Sequence, residues 1–256
     1  QGVSSAASDV YKRQVANGDL GPGMDFFYSK PIMLVGKGYD KKKDLSGAPD
    51  AALKQAQQIR LWMTSYLCYQ DNKFKENLAR EIKSFILKWA KAKAFMKTRK
   101  NNSDSYCCIQ DAVLTMNLDM SDFITAYLIV TKDFPDNKKN KETIVKWFKN
   151  YMKKYGNRHF KKDSVGQFFN QHAIIRDYLN AKIAILTNNN ELFSKSAKRA
   201  LIVLAQSTPE GVYPYTAARG QKAMWYSMEM MNDYTHLLEV LRAQGYDPVS
   251  YTHLRA

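Results

Sequence analysis

The sequence predicts an all-α protein, an α/α toroid built as an incomplete barrel of antiparallel helical hairpins. Three observations point there. Apolar residues recur at three- and four-residue intervals in segment after segment, the period of a helix with one buried face. Only 12 glycines and 7 prolines punctuate the 256 residues, too few for a sandwich of many short strands. The hairpins recur at roughly 50 to 60 residues, longer than tetratricopeptide or ankyrin repeats. A plain helical bundle is the other arrangement this pattern allows.

Taken in order, residues 15–50 read as loop, rich in Gly and Pro, with a basic knot at Lys41–Lys43 and one extended run at Ile32–Val35. From Pro49, the residues Ala52, Ala56, Ile59, Met63 and Leu67 form one helical face. Phe74, Leu78, Ile82, Phe85, Ile86 and Trp89 form a second, and the short connection around Asp71 makes the two antiparallel neighbours. Residues 97–110 are polar and break the period, a loop long enough to be a lid. A third helix is expected from about Ser121, a serviceable N-cap, to Val130. A fourth carries Ile144, Val145, Trp147, Phe148, Tyr151 and Met152 inside, with Lys146, Lys149, Lys153 and Lys154 on a solvated face. A fifth is expected over 165–187, a sixth over 190–206 and a seventh from Gly220 to Ala243, capped by Gly245.

Hydrophobic residues make up 45% of the chain and aromatics 12%, enough for a real core and too many for a disordered polymer. No apolar run is long enough for a membrane-spanning helix, so no membrane insertion is expected. The net charge is +15 and the pI about 9.5. A surface this basic attracts a polyanion, whether nucleic acid, anionic lipid or acidic polysaccharide, and charge alone does not choose. Cys68, Cys107 and Cys108 form no CxxC pattern and fit neither a disulfide scaffold nor a zinc module. The segments Gln1–Gln14 and Val249–Ala256 resemble translated adapter sequence, and 15–248 is taken as the folding domain, a truncated one.

No two of the histidines His159, His172, His236 and His253 sit at metal-ligand spacing, so no metal or other cofactor is expected. Two passages carry chemistry. Phe168–His172 (FFNQH) opens the fifth helix. Glu210–Tyr226 (EGVYPYTAARGQKAMWY) gathers Tyr213, Tyr215, Arg219 and Tyr226 around a turn that leads into the seventh. Arg219 stands at a helix start, where its charge opposes the dipole and an anion would offset it.

These passages resemble the motifs of polysaccharide lyase family five, the alginate lyases that act on polymannuronate. One family motif reads roughly NNH at a helix start. The other reads roughly DGSLPxExxRGxRALxYHxYA. The Arg-Gly pair, Lys222, Ala223 and Tyr226 fall into place, and the interval from His172 to Arg219 matches. The resemblance implies an α/α toroid that is periplasmic or secreted, a monomer, with an acidic polysaccharide as partner and no nucleic acid. It implies Tyr226 as the catalytic tyrosine, with His172, Arg219 and Gln171 around the substrate carboxylate. Asn170, Tyr213, Tyr215 and Lys222 would contact the sugar chain. Two positions depart from the pattern: Gln171 replaces an asparagine, and Ser227 replaces the histidine after the tyrosine.

Such a lyase works by β-elimination. It takes the proton on C5, next to the carboxylate, and expels the 4-O-glycosidic oxygen. The C5 proton is acidic enough only when the carboxylate is neutralised by preorganised donors. A phenol ordinarily titrates near pH 10, and a neighbouring cation favours its anion. Two other readings stay open. One is a lyase for, or binder of, a different acidic polysaccharide. The other is a basic helical scaffold for nucleic acid or protein.

Overall fold

A computed structural model describes residues 34–35, 47–98, 106–156 and 171–246. The chain divides into two compact units. The first comprises 1–99 with 125–147, the second 100–124 with 148–256. In order, the elements are β1 (Leu34–Val35), α1 (Gly47–Cys68), α2 (Asn72–Lys91), β2 (Lys97–Thr98), α3 (Tyr106–Asp133) and α4 (Lys138–Tyr151). A π-helical turn at Met152–Gly156 follows, then α5 (Gln171–Thr187), α6 (Asn190–Ala205), the one-turn α7 (Pro214–Ala217), a 3-10 turn at Gly220–Lys222, and α8 (Ala223–Ala243). The two-residue strands pair in parallel, Leu34 with Lys97 and Val35 with Thr98.

In the first unit, α1 and α2 form the expected hairpin. Asp71 caps α2, its carboxylate accepting from the Phe74 amide at 2.8 Å. Tyr69 meets Phe74 at 4.6 Å and, further from the turn, Trp62 meets Phe85 at 6.0 Å. Earlier residues of α1 thus meet later residues of α2, so the pair is antiparallel. The face of α2 is as the spacing indicates: Leu78, Ile82, Phe85, Ile86 and Trp89 are all buried. The face of α1 is rotated from expectation. Ile59, Trp62 and Tyr66 are buried, whereas Leu67 is 55% exposed. Tyr66 can go inside because its hydroxyl donates to Asp133 at 2.6 Å. After α2 the chain turns sharply, with Lys93 and Phe95 at φ 53° and 60°. Each such residue costs on the order of 1–2 kcal/mol. Burial of Phe95 against Trp89, and a 2.9 Å bond from the Trp147 indole N–H to the Ala94 carbonyl, offset that cost.

Two expectations are corrected here. Helix α3 starts at Tyr106 rather than Ser121, so Cys107, Cys108 and the end of the supposed 97–110 loop are helical. Residues 99–105 of that loop lie outside the described residues. Ser121 is no N-cap: it is buried mid-helix, where its hydroxyl takes a 2.7 Å bond from Lys182 Nζ. Residues 1–14 and 249–256 also lie outside the described residues.

In the second unit, α5 packs against both α6 and α8. Ile174, Ala181, Ala197, Ala200, Val203, Met230, Tyr234, Leu237 and Leu241 make one core. The Tyr234 hydroxyl ties α8 to α6 through the Ala200 carbonyl at 2.8 Å. Asn189 caps α6, accepting from the Leu192 amide at 2.9 Å. Helix α8 ends as Gly245 leads one to expect. Gly245 has φ +79°, its amide bonds the Arg242 carbonyl, and the Tyr246 amide bonds the Leu241 carbonyl. That pair of bonds is a Schellman closure.

Candidate active site

Helix α8 shows how the core sets the site. Its buried side runs through Met230, Asp233, Tyr234, Leu237 and Leu241. Tyr226 lies one turn before Met230 on the same side, so it stands half-buried where the helix leaves the core. The Tyr213–Lys222 turn leads into it. Pro214 opens α7, suited to a first turn that needs no amide donor. Gly220, directly after Arg219, adopts φ +61° with nothing within 4 Å of a would-be Cβ. Backbone conformation, not crowding, therefore accounts for glycine in the Arg-Gly pair.

A part-buried hydroxyl pair fastens this turn to α8. Thr216, fully buried, donates to the Tyr213 carbonyl at 3.0 Å. Its single proton is thereby used, so the 2.8 Å contact with Ser227 has Ser227 as donor. Ser227 is the residue after Tyr226. The bond therefore fixes Arg219, carried by the turn, relative to Tyr226, carried by the helix.

The result is a stack. The Arg219 guanidinium carbon sits 4.2 Å from the Tyr226 ring centroid, a cation–π contact. Trp225 packs edge-on against the same ring at 4.8 Å. Burial is the largest single influence and disfavours the Arg219 cation, but hydrogen bonding and charge interaction with Tyr226 and Tyr215 together outweigh it and raise its pKa. The positive charge at the helix start thus faces two phenol groups.

Gln171 and His172 form the first turn of α5. Their side chains, and all of Asn170, lie outside the described residues. Behind that turn α5 carries buried charge. Asp177 accepts from Arg176 Nη2 at 3.0 Å and from Arg199 Nε. Burial pulls the Arg176 pKa down despite Asp177. Further along, burial holds the Lys182 amine at about 7 while Asp122 works the other way. Its Nζ lies 3.5 Å from the Tyr178 ring centroid, and Tyr178 stacks on His236.

Among the sequence candidates, the structure brings Arg219, Tyr226 and Tyr215 together and leaves Lys222 exposed in the adjoining turn. The expectation for Tyr213 is corrected. Its ring is 6% exposed, packed edge-on to Tyr234 in the core, so it anchors the turn instead of facing a sugar. Among the described residues no cluster of His, Cys, Asp or Glu could hold a metal ion. No described helix is long and apolar enough to cross a membrane.

Sequence reasoning missed Glu229 and Asp233, although they stand three and seven residues after Tyr226, on one helical face. Asp233 is 4% exposed and its Oδ2 has no hydrogen-bond partner. Burial first, then Glu229, push its pKa up to about 7, against a bond from Asn232. A carboxyl raised in the folded state favours folding while protonated and loses that advantage as pH rises to about 7. Asp233→Asn should therefore stabilise the protein by on the order of 2 kcal/mol near pH 8 and change little near pH 4. Thermal melts at the two pH values check this, and an equal effect at both would contradict it.

The architecture defines a class first: the chain is a predominantly helical protein with the α/α toroid fold of alginate lyases. A model of the family described as alginate lyase matches residues 38–255, and the chain belongs to that family. The crystal structure of alginate lyase A1-III from Sphingomonas species A1 is similar at TM-score 0.68 and 15% identity, covering 86% of this chain and 60% of that one. A histidine-to-alanine variant of A1-III complexed with a tetrasaccharide gives TM-score 0.66 at 15% identity, covering 86% and 59%. A tyrosine-to-phenylalanine variant, also with tetrasaccharide, gives 0.66 at 14%, covering 93% and 69%. The chain thus spans 59% of the length of the first of those tetrasaccharide complexes. No curated protein sequence matches it.

Proposed function

We propose that this chain is a polysaccharide lyase that cleaves polymannuronate by β-elimination. The Arg219–Tyr226 stack carries the reading, in a chain of the alginate lyase family. A guanidinium held beside a phenol stabilises the phenolate as it forms. In this reading the Tyr226 oxygen takes the C5 proton and then delivers it to the departing 4-O oxygen. Gln171, His172 and Arg219 neutralise the uronate carboxylate, and His172 shares the base role. Asn170, Tyr215 and Lys222 contact the neighbouring sugars. The enzyme acts as a monomer, in the periplasm or outside the cell.

The test is ultraviolet absorbance of the unsaturated uronate formed on incubation with polymannuronate, polyguluronate and glycosaminoglycans. Polymannuronate should give the fastest rise, and no rise with any substrate would overturn the proposal. Arg219→Ala should lower kcat/KM roughly 100- to 1000-fold, with KM rising as well, because it removes a charge that acts on both substrate and transition state. A loss under tenfold would remove Arg219 from the machinery. One observation favours a second reading, a lyase for another acidic polysaccharide. Ser227, in place of the family's histidine, spends its hydroxyl proton on Thr216. The same substrate panel separates the two.

A further inference from the structure

The exposed side of α8 beside the site is apolar. Met224 is 72% exposed, Trp225 60% and Met228 67%. They lie at positions i, i+1 and i+4 of one helix, so Met228 neighbours both of the others. Large side chains left this open mark a surface that something covers.

The charges nearby say what. From Gly211 to Met228 the chain has no carboxylate, while Arg219 and Lys222 stand in the turn directly before Trp225. Trp225 also touches the ring of Tyr226, whose other neighbour is the Arg219 guanidinium. An occupant of this surface meets a broad apolar ring, two adaptable thioethers and two cations. A pyranose that bears a carboxylate fits each part. Its C–H face lies on indole, and its anion pairs with guanidinium or ammonium. A neutral sugar leaves the cations unused, and an acidic protein segment leaves the flat ring without a matching face.

We propose that Trp225, flanked by Met224 and Met228, is a platform on which one uronate ring of the polysaccharide lies, its carboxylate turned to Arg219 and Lys222. This rests on the lyase reading and adds the residue that holds the sugar beside the reacting one. It also gives an aromatic contact with the sugar to a residue that is open, where the expected contact, Tyr213, lies in the core.

Fluorescence isolates this ring. The other tryptophans, Trp62, Trp89 and Trp147, are 1%, 0% and 3% exposed. Acrylamide quenching of the full chain therefore reports Trp225. Mannuronate oligosaccharides should shield it at least twofold, with no effect from a neutral glucan and none in Trp225→Phe. In steady-state assays Trp225→Ala should raise KM roughly tenfold, a larger factor than its loss in kcat. Trp225→Phe, which keeps an aromatic face, should recover most of that. An active wild type with unshielded Trp225, and KM within twofold in the alanine variant, would overturn the platform while leaving the lyase reading standing. Shielding without any unsaturated product would overturn the lyase reading and support the platform. Trp225 already inaccessible to acrylamide without sugar would mean that another protein surface occupies the patch, and would overturn the platform.

Discussion

Tyr226→Phe is expected to abolish turnover, by roughly 1000-fold or more, while the protein stays folded. Phenylalanine keeps the ring that lies between Arg219 and Trp225, so the cation–π and edge contacts survive. Only the phenolic oxygen is lost. In the proposed mechanism that oxygen both removes the C5 proton and protonates the leaving oxygen, so one atom accounts for two proton transfers. The checks are initial rate of unsaturated uronate formation and an unchanged circular dichroism melt. A variant retaining more than about a tenth of wild-type kcat would move the base role to His172.

Asp177→Ala is expected to be the most damaging change to stability, about 3–5 kcal/mol. Asp177 and Arg176 are 4% and 5% exposed, and Asp177 also accepts from Arg199 on α6. Removing the carboxylate takes the neutralising charge away from the buried Arg176 guanidinium and from the partly buried Arg199. Replacing the three residues together with apolar side chains should cost much less, because the desolvated charge goes with them. Arg176 and Asp177 sit in α5 a little over a turn after His172, so the loss should reach activity as well. Denaturant titration measures the first effect. Should Asp177→Ala fail to fold, Asp177→Asn gives a smaller loss that is still measurable. A cost below about 1 kcal/mol for both would show the charges to be relieved by water.

Much of the helical framework was legible because periodicity alone decides which side of a long amphipathic helix is apolar. Helix α2 is the clean example. Where two residue types compete for the inside, periodicity misleads. Leu67 reads as core and is exposed, whereas Tyr66, which is not on the expected face, is buried because α3 supplies Asp133 to its hydroxyl. Ser121 reads as a cap because serine is good at capping. It is instead the partner of buried Lys182, sixty-one residues away. Local sequence holds no record of such a partner.

The site follows the same division. By itself the sequence determined the helical class, the pairing of α1 with α2, and the grouping of Arg219, Gly220 and Tyr226 in one passage, since these depend on spacing along the backbone. Tertiary structure decided which aromatic rings face inward. Tyr213 and Trp225 are equally aromatic and both lie next to the motif, yet α6 and α8 enclose the first and leave the second open. It also made Thr216 the hinge pin between Arg219 and Tyr226. Burial is a property of packed elements, and a motif's spacing fixes where a residue sits on the chain without fixing what covers its side chain.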